Sequence, residues 1–197
     1  GVLTSITRNG DKLLELINDL LDIEKLEAGH MQLVLEEVKL KDLVEKSIAA
    51  TSDVPRVVFE FHGNNPDIAL MADRDRLIQA LGNIASHAVT RSPQNTQVRF
   101  LARNTADAIE FQIIDASPAM SEKARLQLFD RFKDMSALQD ASAEERLGSG
   151  LALPIARKII ESHGGTINIT SSGPTGNIYF IRVPLQQAVI AAPATVG

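Results

Sequence analysis

From residue 31 to residue 185 the hydrophobic pattern switches repeatedly between a period of two and a period of three to four, the signatures of half-buried strands and of amphipathic helices. The period-two stretches predict strands over 31–38, 56–61, 68–72, 97–103, 109–115, 166–170 and 177–183. Helical stretches fall between them, over 40–50, from a cap at Asp73 to about Arg91, over 121–132, and from Gly148-Ser149-Gly150 to His163. Pro93 is placed to stop the second of these and Gly164-Gly165 to end the last. A polar stretch over 133–147, rich in Ala and Ser, reads as a mobile loop. Strands interleaved with helices in this way give a two-layer α/β (α+β) sandwich with a mixed sheet.

Ahead of this alternation, residues 3–28 carry the longest helical pattern. Leu13, Leu14, Leu16, Ile17, Leu20, Leu21, Ile23 and Leu26 form a wide apolar stripe, with Asp11, Lys12, Glu15, Asp19, Glu24 and Lys25 on the outer face. A helix of ~26 residues would be ~39 Å long, more than a domain of this size needs, so it is expected to pack against another helix outside the main core. Residues 186–197 lack charge and periodicity and read as a linker or disordered tail. The expected division is therefore 1–30, 31–185 and 186–197. The chain opens on Gly1 with no visible signal peptide, which reads as a piece of a longer, cytoplasmic protein.

The 197 residues carry a net charge of −5, with acidic and basic side chains interleaved as in Asp73-Arg74-Asp75-Arg76. That distribution argues against nucleic acid as a partner. No cysteine is present, which excludes disulfide scaffolds, zinc ribbons and thiol catalysis. No apolar run approaches the ~20 residues of a membrane span, and no direct membrane contact is expected.

Three features stand out as candidate chemistry. Gly148 and Gly150 open a helix, where free backbone N–H groups attract anions, although a Gly-x-Gly taken alone better suits a hinge that ends a loop. Asp115 ends an apolar strand, as a carboxylate reaching a ligand or as a turn former. Asn83 lies on the inner side of its helix among Leu77, Ala80, Leu81 and Ile84, as a structural hydrogen-bonder or a ligand contact. Of the four histidines, His30 and His62 follow a helix end and a strand end, and His163 sits at a helix C-terminus, where a cation suits the dipole. His87 is the one near the candidate pocket, and no second His or Cys is spaced with it to hold a metal.

Taken in series, these segments resemble the core of sensor histidine kinases. Leu13-Leu-Glu-Leu-Ile-Asn-Asp-Leu-Leu-Asp-Ile-Glu-Lys-Leu-Glu-Ala-Gly29 is similar to the second helix of that family's dimerisation and phosphotransfer hairpin. Residues 34–185 resemble its ATP-binding domain, the Bergerat fold shared with gyrase and Hsp90-type ATPases, whose helices lie on one face of the sheet. Asp73-Arg-Asp-Arg-Leu-Ile-Gln-Ala-Leu-Gly-Asn83 resembles the lead into the N box, Leu128-Phe-Asp-Arg-Phe132 the F box, and Gly148-Ser-Gly-Leu-Ala-Leu153 with Ser162-His-Gly-Gly165 the G2 box and the helix end beyond it. The resemblance implies ATP and Mg²⁺ as cofactors. It assigns nucleotide contacts to Asn83, His87, Arg91, Asp115, Ser117, Ala119, Arg131, Gly148, Gly150 and Leu151, with Asn83 and His87 as the metal positions. Asp115 would accept a hydrogen bond from the adenine amino group. The phosphoacceptor His would lie upstream of Gly1, so no catalytic residue is expected here and this fragment alone cannot phosphorylate itself. The implied partners are a second copy, through residues 3–28, and a response regulator or receiver domain.

The departures from the family pattern fall at ligand positions. The G1 box should read Asp-x-Gly-x-Gly, and the chain has Asp115-Ala-Ser-Pro-Ala119. The N box should offer two Asn four apart and then a Lys, and the chain has Asn83, His87 and Thr90. Imidazole is a poor substitute for the hard oxygen ligands of Mg²⁺. In G2 the last glycine is Ala152. The expected function is a two-component signalling and dimerisation module whose ATP-binding domain is degenerate, with weak or no Mg-ATP binding. The alternatives are an active kinase domain and a phosphotransfer or phosphatase scaffold.

Overall fold

The computed structural model describes residues 32–51, 54–63, 65, 67–129, 152–171, 173 and 176–185. The predicted helix over 3–28, the loop over 133–147 and the tail over 186–197 lie outside the described residues. In chain order the elements are β1 (Glu36–Lys39), α1 (Leu40–Ala49), a 3-10 turn (Val54–Arg56), β2 (Val57–Phe61), β3 (Ala69–Ala72) and α2 (Arg74–Arg91). There follow β4 (Val98–Asn104), β5 (Ala108–Ile114), α3 (Glu122–Gln127), α4 (Ala152–Ser162), β6 (Thr166–Ser171) and β7 (Asn177–Pro184).

Five strands form one open sheet in the order β2-β4-β5-β7-β6, parallel between β2 and β4 and antiparallel elsewhere. The period-two pattern places Phe100, Phe111, Ile113, Tyr179, Ile181 and Val183 on one face, all buried. Helices α2 and α4 pack on that face, with α1 against the flank of α2. Phe100 and Phe111 meet edge to face at 6.1 Å, a favoured aromatic geometry. The opposite face carries the ion pairs Arg99–Glu60 and Arg103–Glu110. This is the expected two-layer sandwich with a mixed sheet.

Element ends shift where tertiary partners decide them. The strand predicted over 31–38 begins at Glu36, because its partner β3 is four residues long. Before it, the Val34 N–H donates to Asp73 Oδ2 instead of to a strand (3.1 Å). Arg56 lies in the 3-10 turn and not in β2. Its guanidinium donates to the Ser92, Pro93 and Thr96 carbonyls, closing the C-terminal end of α2. The helix predicted over 121–132 ends at Gln127, and Leu128 and Phe129 form a buried turn. Asp73 does cap α2, accepting the Arg76 N–H at 3.2 Å.

The close of α4 is a Schellman motif. Gly164, at φ +68°, donates to Glu161 O, and Gly165 donates to Ile160 O, both at 2.9 Å. A Cβ on Gly165 would meet Arg182 O at 2.4 Å. His163 is fully buried here, and its role differs from the expected cation. Nδ1 donates to Ile159 O (2.8 Å) and Nε2 accepts the Asp73 N–H (3.0 Å). A carbonyl can only accept and an amide N–H can only donate, so the ring is the neutral Nδ1–H tautomer. Burial overrides the helix dipole and lowers its pKa.

Two predictions follow from this junction. Gly165→Ala is expected to cost about 1–3 kcal/mol through overpacking against the β7 backbone, read as a lower urea midpoint at unchanged slope; an unchanged midpoint would refute the close approach. With the folded pKa of His163 below the unfolded value of 6.5, the unfolded chain binds a proton that the folded one refuses. Its contribution is complete above that value and is lost as pH falls beneath it, at up to ~1.4 kcal/mol per pH unit. Melting temperatures taken from neutral to mildly acid pH should fall accordingly, and His163→Gln should flatten the dependence.

Candidate functional site

Strand β5 delivers Asp115 to the edge of the helical layer, beside the start of β7. The carboxylate is 4% exposed, and a charge so buried requires hydrogen bonds. Oδ1 accepts the Ser117 N–H (3.1 Å) and the Asn177 N–H (2.7 Å), and Oδ2 accepts the Ser117 hydroxyl (2.8 Å). The Asn177 side-chain amide reaches both oxygens, at 3.0 and 3.2 Å. Ser117 and Asn177 are themselves buried, while Pro118 and Ala119 are exposed. The Ala116 N–H donates to Ser92 Oγ (3.1 Å), tying this segment to the end of α2.

Helix α2 supplies the other wall. His87 Nδ1 pairs with the Tyr179 hydroxyl at 2.9 Å, and the two rings meet edge to face at 5.9 Å. Burial, reinforced by the Asp115 charge, holds the Tyr179 phenol far above its ordinary pKa, so it stays protonated at neutral pH. One turn earlier, the Asn83 side-chain amide donates to Ala152 O in the first turn of α4 (3.3 Å). Thr90 donates to its own helix at Ser86 O, and Arg91 is exposed, with its charge acting on Tyr179.

The structure thus gathers His87, Asp115 and Ser117 around Tyr179 and Asn177, and sets Asn83 at the contact between α2 and α4. Arg131, Gly148, Gly150 and Leu151 lie outside the described residues. Sequence reasoning missed Asn177 and Tyr179. The available signal was a polar residue, Asn177, in the inward phase of a strand whose other inward positions are Tyr179, Ile181 and Val183. Mg²⁺ and a nucleotide fit the described residues poorly. His87 offers nitrogen where a hard cation takes oxygen, and its ring is engaged with Tyr179. Among the described residues no group of three His, Cys, Asp or Glu gathers to hold a metal ion. The Asp115 oxygens are already bonded within the protein.

Residues 72–187 match the family described as histidine kinase-, DNA gyrase B- and HSP90-like ATPase. The chain is 31% identical over 192 residues to the circadian input-output histidine kinase CikA of Synechococcus elongatus, covering 94% of this chain and 25% of that protein. It is 30% identical over 193 residues to the cell-division control histidine kinase PdhS of Brucella ovis, covering 92% of this chain and 18% of that one. It therefore spans a quarter or less of the length of these curated relatives. Among solved structures, full-length ShkA in complex with AMPPNP aligns with a TM-score of 0.73 at 25% identity, covering 94% of this chain and 38% of that one. The Acinetobacter baumannii histidine kinase AdeS has the same fold, with a TM-score of 0.70 at 22% identity over 93% of this chain and 83% of that one. With the family match spanning more than half of the residues, the chain belongs to the histidine kinase-, DNA gyrase B- and HSP90-like ATPases.

Proposed function

We propose that this domain is a degenerate member of its family, relaying signals by conformation and docking with weak or no Mg-ATP binding. The observation that carries the reading is His87. It stands where the family's N box has a metal-binding Asn, and its ring is bonded to Tyr179 (2.9 Å). The neighbouring Thr90, in place of the family's Lys, spends its hydroxyl on Ser86 O. A charge-assisted contact is worth about 1.5–3 kcal/mol, so losing two or three weakens binding by several orders of magnitude.

In this reading, residues 1–30 form the second helix of a dimerisation hairpin and bring two copies together in a four-helix arrangement. Residues 31–185 form the ATPase-type domain, and 186–197 link onward. A response regulator or receiver domain is the partner, and the protein works in the cytoplasm. Among the described residues no helix is long and apolar enough to cross a membrane.

Calorimetric titration of the chain with ATP, with and without Mg²⁺, is expected to show no saturable heat into the millimolar range. Micromolar, Mg-dependent binding would overturn the reading and return the domain to an active kinase role, phosphorylating a His on the first hairpin helix and supplying a response regulator Asp. The double substitution His87→Asn with Thr90→Lys should strengthen Mg-ATP binding at least roughly tenfold, about 1.4 kcal/mol. An unchanged affinity in a folded protein would show that the N-box substitutions are not what weakens it.

A further inference from the structure

We propose that Asn177 is a built-in plug for the base-recognising carboxylate, its side-chain amide occupying the acceptor that an incoming purine amino group would need. The inference rests on the reading of Asp115 as the base-facing residue, and it concerns that carboxylate and its donors, not the N-box positions His87 and Thr90.

An ionised carboxylate offers about four acceptor positions. Four donor groups are bonded to Asp115, the Ser117 N–H, the Ser117 hydroxyl, the Asn177 N–H and the Asn177 Nδ2, and the Tyr179 hydroxyl also interacts with it. The four Ser117 and Asn177 donors lie at 2.7 to 3.2 Å. An exocyclic amino group arriving at this carboxylate therefore has to displace one of these donors.

Asn177 is also held in the one orientation that plugs the site. Its Oδ1 accepts the Met120 N–H (3.0 Å) and the Ser171 hydroxyl (2.7 Å). Its Nδ2 faces Asp115, with Ser117 Oγ at 2.8 Å and Pro118 O at 3.3 Å. A backbone N–H can only donate and a carboxylate can only accept, so the amide cannot flip without facing donor to donor and acceptor to acceptor. The side chain has no solvent exposure, and no water competes for these bonds. Ser117 completes the closure from the position where the family pattern has a glycine. A glycine there could not supply the hydroxyl that now sits on Oδ2.

The probe is adenosine, which carries the amino group but no phosphate and so reads only this end of the site. Inosine, with a carbonyl oxygen in place of that amino group, is the control. The intact chain is expected to bind neither into the millimolar range. Asn177→Ala, and Asn177→Ser as the variant that keeps a hydroxyl for Met120, should bind adenosine at least roughly tenfold more tightly than the intact chain does. Binding should favour adenosine over inosine and be lost again on adding Asp115→Asn. Saturable adenosine binding by the unmodified chain overturns the proposal. So does a folded Asn177 variant that binds neither nucleoside, or both alike. Tight Mg-ATP binding that survives Asp115→Asn overturns the reading of the N-box end and leaves Asn177 as the plug, so the two failures are distinguishable.

Discussion

One wall of the site is set by helix α2, which is buried on more than one side at once. Leu77, Ala80, Leu81, Ile84, Ala85 and Ala88 are wholly inaccessible, shared among α1, α4 and the sheet beneath. Such crowding demands small residues at the crossings. A Cβ on Gly82 would lie 3.2 Å from the Ala50 Cβ and 3.3 Å from Ser47 O, so α1 and α2 approach as closely as they do because that position is bare. A helix packed this tightly cannot rotate to re-aim its polar residues. Asn83 therefore faces α4 and His87 faces β7, whatever chemistry those residues retain.

The two ends of α2 are tied by side chains from distant segments. At its start, Asp73 joins the chain ahead of β1, the first turn of α2 and the end of α4, through Val34, Arg76 and His163. At its end, Arg56 gathers three carbonyls and Ser92 Oγ receives the chain leaving β5. Asp115 is thus delivered next to α2 by bonds that involve no ligand. Burying its charge then compels the fold to provide donors. Ser117 and Asn177 meet that demand, and the same bonds that stabilise the strand junction occupy the carboxylate.

The periodicity of two and of three to four was enough to lay out the strands and helices of residues 36–184, because each amphipathic face must be buried on its own period. Asp73 and Gly164-Gly165 were equally legible, since caps and left-handed turns depend on residues next to each other in the chain. Less legible were the ends set by partners far away: the start of β1, which waits for the four-residue β3, and the 3-10 turn at Arg56, whose guanidinium belongs to the end of α2. His163 is the sharpest case. From its neighbours it suits a cation at a helix end, but burial against the Asp73 N–H makes it a neutral hydrogen-bonding staple.

The amino-acid sequence by itself determined the layered fold, the family, and the loss of three glycines, an asparagine and a lysine from the family's ligand boxes, because each of these is a matter of residue type at a given spacing. Tertiary structure alone decided where the polar groups spend their hydrogen bonds. Asn177 lies 62 positions from Asp115 in the chain, and His87 lies 92 from Tyr179. No local pattern connects such residues. They are joined because a buried carboxylate and a buried phenol have no water to turn to, and must take their partners from whatever the packing of α2, β5 and β7 brings within reach.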